Sequence, residues 1–140
     1  LIFSTKNRQR FLQRQDIANK LHNYIGGVLL ISECPAVEIN SVADHIHMLF
    51  ALNKKHALAR IVEEVKKSSS AWIKTKDSNL ASFYWQAGYA AFSVSQSKVP
   101  DVRNYIKNQA EHHRELSYQE EYRRMLARHG LEVDERYAWD

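Results

Sequence analysis

The sequence predicts an α+β fold, a mostly antiparallel sheet with helices on one face. Three observations carry this. Short apolar or alternating segments recur at residues 1–4, 36–42, 46–52 and 84–95. Two amphipathic stretches, 17–33 and 57–76, separate them at helical spacing. The resulting order β-α-β-β-α-β is followed by more helical sequence instead of another strand.

Each element has its own signal. Residues 1–4 read as a strand whose opening residues are expected to lie upstream of this numbering, and a basic loop follows. Asp16 is placed to cap a helix in which Ile17, Leu21, Tyr24, Ile25, Val28 and Leu29 recur on one side. Gly26-Gly27 weakens that helix or admits close approach of another element, and Pro35 bounds it. Strands 36–42 and 46–52 flank Ala43-Asp44 and form a hairpin. In helix 57–76, Leu58, Ile61, Val62, Val65, Trp72 and Ile73 make one stripe, with Arg60, Lys67 and Lys74 on the other face. The aromatic-rich stretch 84–95 alternates as a strand does. A helix is predicted over 98–116, with Pro100 in its first turn, where a missing N–H costs little. A polar helix over 118–129 ends at Gly130, and the acidic tail is expected to pack back through Tyr137 and Trp139.

Length and composition bound the classes. At 140 residues the chain is expected to form one domain over 1–140, with 117–140 as a C-terminal helical tail. The single cysteine, Cys34, excludes an internal disulfide and a cysteine metal cluster, and fits a reducing cytosol. No apolar run reaches transmembrane length, so no membrane partner is expected. The net charge of +4 is unevenly spread. Residues 1–20 hold five Lys/Arg against one acid, residues 54–76 seven against two, and the last eleven one against four. Such a distribution fits a polyanion-binding face with an acidic back.

The chemistry concentrates in two motifs. In His45-Ile46-His47 the strand period places both imidazoles on one face and Ile46 behind them, so the histidines can converge on one metal ion. Asp44 adjoins the pair but is expected on the opposite face, and is not counted as a ligand. Tyr105 and Gln109 stand four apart, hence on one helical face, offering a hydroxyl nucleophile and a neutral oxygen ligand together. His113, four residues further, reads as a helix-surface histidine.

On these residues, with Phe3-Ser4-Thr5-Lys6-Asn7-Arg8, Trp85-Gln86-Ala87-Gly88-Tyr89 and Phe92-Ser93-Val94-Ser95 in the same order, nearly the whole chain resembles the single-tyrosine HUH transposases of small bacterial insertion sequences. The resemblance implies a ferredoxin-like core with an added C-terminal nucleophile helix. It implies an enzyme that cleaves and rejoins single-stranded DNA at hairpin-flanked element ends through a 5′-phosphotyrosine on Tyr105. It further implies Mg²⁺ or Mn²⁺ on His45, His47 and Gln109, a homodimer, and a bacterial cytoplasmic protein associated with the nucleoid when bound to DNA. Candidate DNA contacts are Lys67, Ser70 and Lys74, Arg103 and Lys107 beside Tyr105, and Trp85 as a stacking platform. The rival readings are a non-catalytic nucleic-acid-binding regulator that retains the fold, and a histidine-dependent phosphoesterase. The second would want more histidines beside the strand, and residues 48–52 supply none.

Overall fold

The computed structural model describes residues 1–112 and 116–140. Three antiparallel strands, β1 (Ile2–Ser4), β2 (Ala36–Ser41) and β3 (His45–Phe50), form a sheet in the order β1-β3-β2. The hairpin joining β2 to β3 is the expected one. β3 is central, with His47 facing Ile2 on one side and Asn40 on the other, and Ile46 facing Phe3 and Ser41. Directly opposed residues share a face. His45, His47, Ser4, Ile2 and Asn40 therefore lie on one side of the sheet, and Phe3, Ile46 and Met48 on the other.

The second side carries the main core. Helices α1 (Gln15–Ile31) and α2 (Leu58–Ile73) lay Leu21, Ile25, Leu29, Ile61, Val65 and Ile73 against Phe3, Ile46 and Met48. α1 starts one residue ahead of Asp16, with Arg14 flanking it and no side-chain cap. Asp16 instead sits in the first turn, where its charge suits the helix dipole, and binds the Arg14 guanidinium at 2.7 Å. The helix runs unbroken through Gly26-Gly27; a Cβ on Gly26 would stand 3.9 Å from Ile39 Cδ1, an ordinary contact.

Residues 84–95 do not form the expected strand. They meet the outer edge of β1 through isolated bridges at Ile2–Ala90 and Thr5–Trp85. Between these, the side chain of Gln86 replaces a backbone partner: its Oε1 accepts the Ser4 N–H at 2.7 Å, while Gln86 N–H donates to the Ser4 carbonyl at 2.9 Å. A side-chain amide thus closes the edge of β1 where a ladder would otherwise continue.

The face bearing the histidines is covered by α3 (Val99–Lys107), α4 (Gln109–His112) and α5 (Tyr118–Arg128). The predicted helix 98–116 is broken at Asn108, which leaves helical geometry with φ −95° and ψ 20°. Asn40 Nδ2 donates to the Ile106 and Lys107 carbonyls at 2.9 and 3.2 Å, satisfying the end of α3 and tying it to β2 beside His47. α5 opens with a capping box between Ser117 and Glu120 and ends before Gly130, whose φ of +69° suits glycine. Tyr118 and Tyr122 of α5 pack with Ile2, Ala90 and Trp139 in a second, smaller core. Trp139 packs back as expected; Tyr137 does not, remaining 66% exposed. Among the described residues no helix is long and apolar enough to cross a membrane.

Candidate active site

His45 and His47 are fully or almost fully buried, with ring centroids 5.7 Å apart. Asp44 contradicts the sequence reading. It lies in the hairpin turn, ahead of the first strand residue, so strand alternation does not govern it. Its Oδ1 accepts from His45 Nδ1 at 2.6 Å. A carboxylate holding Nδ1 fixes the tautomer and turns the other ring nitrogen, Nε2, towards Glu121. Tyr118 packs against the His45 ring at 4.8 Å and donates its hydroxyl to Gln86 Oε1 at 2.6 Å.

Glu121, from α5, reaches the same place, and the sequence reading missed it. Its Oε1 bonds His47 Nε2 and lies 4.0 Å from His45 Nε2. Burial holds His47 well below its ordinary value, at about 4, and only partly yields to the neighbouring Glu121. The imidazole is therefore neutral at pH 7, the form that binds metals. One donor atom from each of His45, His47 and Glu121 lies within 4.8 Å of the others. Two imidazole nitrogens and a carboxylate oxygen suit a divalent cation. Gln109 is also fully buried, and neither polar atom of its amide has a hydrogen-bond partner among the described residues. Leaving such a group unmatched is costly, and a ligand would satisfy it. The residues present fit a divalent metal. A signal for Glu121 did exist in the sequence: Tyr118, Glu121, Tyr122 and Met125 form an i, i+3, i+4, i+7 stripe, so the carboxylate lies on the buried side of its helix.

Tyr105 projects from α3 onto the same face. Its ring centroid is 5.8 Å from that of His47, in edge contact. Burial, and then the Glu121 carboxylate with which its hydroxyl bonds, push the phenol well above its ordinary value; Arg128 and Arg124 offset this in part. A cavity of about 630 Å³ opens beside Tyr105 and His47, with Phe92, Lys98, Arg128 and His129 in its walls.

The expected DNA contacts fare unevenly. Lys67 and Ser70 lie on α2 and Lys74 at its C-terminal cap; α2 packs on the sheet face opposite the histidines, and Lys74 Nζ sits 3.9 Å over the Tyr84 ring. Arg103 and Lys107 are exposed, but each is two residues from Tyr105 and so on the far side of α3; Arg103 binds Glu38 at 3.1 Å. Trp85 is not a stacking platform. It is 8% exposed, wedged edge-on against Phe3 and Phe83, and its Nε1 donates to Ser69 Oγ at 2.9 Å. Its large apolar ring is spent on the core, where its one polar atom finds a partner. His113 lies outside the described residues.

A family model described as IS200-like transposase matches residues 1–109. The chain belongs to the IS200-like transposase family. Membership assigns it to DNA-processing transposases in general. A crystal structure from Deinococcus radiodurans R1, described as a candidate transposase, superposes with a TM-score of 0.60 at 21% identity, over 77% of this chain and 86% of that one. At that identity the likeness speaks for the fold. No curated protein matches the chain. The family match of this IS200-like chain ends at Gln109, so α5 and Glu121 lie beyond it.

Proposed function

We propose that this IS200-like transposase cleaves and rejoins single-stranded DNA beside hairpins through Tyr105, with Mg²⁺ or Mn²⁺ held at His45 and His47. The observation that carries the reading is the meeting, within one chain, of a tyrosine hydroxyl and a pair of buried histidines on one sheet face. A protein that only bound nucleic acid would have no use for this pairing of hydroxyl and imidazoles.

Tyr105 Oη attacks phosphorus and loses its proton; the bond to the 3′ oxygen breaks, and that oxygen ends as a hydroxyl. The 5′ phosphate stays on Tyr105 as an ester, which retains the energy of the phosphodiester, so another 3′-hydroxyl can reverse the step without ATP. A bound divalent ion supplies positive charge that polarises and orients the scissile phosphate. The chain's residues prepare for this. Asp44 fixes the His45 ring, and burial keeps His47 neutral. The raised phenol holds its proton until substrate arrives, and the cavity beside it admits a flexible backbone. In-line attack on a strand that must bend into that cavity favours single strands over duplex. Two copies acting on paired ends complete the reading. Because Tyr105 touches His47 of its own chain, each copy is expected to carry its own site.

A labelled single-stranded hairpin oligonucleotide with Mn²⁺ tests this. The expected result is a denaturant-resistant protein–DNA adduct that maps to Tyr105, disappears in Tyr105→Phe and does not form on blunt duplex. An adduct on Tyr84, Tyr89 or Tyr118, or one that survives in Tyr105→Phe, refutes the assignment. A mixture of His45→Ala and Tyr105→Phe chains is expected to stay inactive; recovery would mean that the site is shared between copies.

A further inference from the structure

We propose that Glu121 is the third protein ligand of the metal, so that the ion clasps the C-terminal helix α5 onto the sheet. The proposal rests on the metal reading above and adds to it a ligand from beyond the family match, which ends at Gln109. The resemblance implies a different third ligand, Gln109.

The geometry singles out Glu121. It is 2% exposed, and one of its oxygens addresses the Nε2 atoms of both histidines. Ligand oxygens and nitrogens lie about 2.0–2.2 Å from a small divalent ion, so neighbouring donors around it stand about 3 Å apart. Donors already gathered within 4.8 Å need only small side-chain rotations to enclose an ion. The helix that carries Glu121 is placed to hold it there. The Ser117–Glu120 capping box sets where α5 begins, and hence which residues face inwards. One turn before Glu121, Tyr118 packs on the His45 ring and bonds Gln86, anchoring the helix to the edge of β1. Asp44 holds His45 through Nδ1, so the ring presents Nε2 on the side of Glu121.

The donor set has a chemical consequence. Two neutral imidazoles and one carboxylate leave a divalent ion with a single net positive charge, still matched to one phosphodiester. They also add an anionic oxygen, which suits Mg²⁺ and Mn²⁺ better than imidazoles alone. Buried Gln109, with its unmatched amide, follows Tyr105 by four residues, and its share in the site is read from Gln109→Ala beside Glu121→Gln.

A structural role for α5 predicts that the helix is equally firm with and without metal; a clasp predicts that it is not. Mn²⁺ binding to the full chain is therefore measured by electron paramagnetic resonance and calorimetry for wild type, Glu121→Gln, Glu121→Asp, Gln109→Ala and His45→Ala. Amide exchange of residues 118–128 is followed with and without Mn²⁺, and circular dichroism checks that each variant folds. The expected results are a loss of at least about tenfold in Mn²⁺ affinity in Glu121→Gln, partial retention in Glu121→Asp, a smaller loss in Gln109→Ala, and Mn²⁺-dependent protection of α5 that Glu121→Gln removes. Unchanged affinity in Glu121→Gln, alongside lost binding in His45→Ala, leaves the histidine centre standing and overturns the place of Glu121 in it. Higher affinity in Glu121→Gln also overturns the proposal, because the carboxylate would then be a plug that metal must displace. Wild type that binds no Mn²⁺ overturns both this proposal and the metal reading beneath it, while leaving the Tyr105 adduct as a separate question.

Discussion

Replacing Gln86 with Leu should loosen the junction between the sheet edge and the C-terminal helix. Gln86 is 1% exposed, and its side-chain amide makes three hydrogen bonds. Its Oε1 accepts from Ser4 N–H at 2.7 Å and Tyr118 hydroxyl at 2.6 Å, and its Nε2 donates to the Ala138 carbonyl at 3.1 Å. Gly88 keeps the space beside that amide open: a Cβ there would stand 3.4 Å from Nε2. Leucine is close in size, so little cavity forms and the cost comes from orphaned partners. An unsatisfied buried donor or acceptor costs roughly 1–3 kcal/mol, so losing three partners comes to about 3–9 kcal/mol, against a typical total stability of about 5–15 kcal/mol. Tyr118→Phe alone removes one donor from an oxygen that keeps another, and should cost only about 1 kcal/mol. The two changes are coupled. In the Gln86→Leu background the Tyr118 hydroxyl is already orphaned, so Tyr118→Phe should there be neutral or stabilising. Urea denaturation of the four metal-free chains measures this cycle, and amide exchange at Ser4 and in α5 locates the loss. Gln86→Leu within about 1 kcal/mol of wild type, or strict additivity with Tyr118→Phe, would refute the reasoning.

Two further outcomes follow from the packing. Trp85→Ala should destabilise the chain by about 3–5 kcal/mol as its core cavity opens, while the milder Trp85→Phe leaves single-stranded DNA affinity and its salt dependence unchanged; a tenfold affinity loss in a fully stable Trp85→Phe would restore a stacking role. Burial holds His22, whose Nε2 meets Ser41 Oγ at 2.7 Å, down at about 4. Between that value and about 6.5 the unfolded chain binds more protons, so stability falls as pH drops through this window, by up to about 3 kcal/mol from His22. His47, lowered in the same sense, acts in the same direction, so His22→Gln should reduce the difference in urea midpoint between pH 7 and pH 4.5 without abolishing it.

The sequence by itself determined what local periodicity can carry. Period two in β3 places His45 and His47 together and Ile46 behind them, and period 3.6 in α2 puts Ile61, Val65 and Ile73 in the core. Each is a relation among residues a few positions apart, set by backbone geometry before any tertiary contact forms. The helix over 98–116 was legible in kind but not in continuity, because Asn40, from a different element, satisfies the carbonyls at the break. The strand over 84–95 failed for a similar reason: Gln86 turns its side chain into the ladder, a choice that alternation cannot reveal. Asp44 escaped because the turn, not the strand, sets its direction. Glu121 is the largest gap. It meets His47 across 74 residues of chain, and its place at the site depends on where the Ser117 cap begins α5 and how Tyr118 docks that helix on His45. Only the folded chain brings those separations to bonding distance, so only the tertiary structure could put a carboxylate between the two imidazoles.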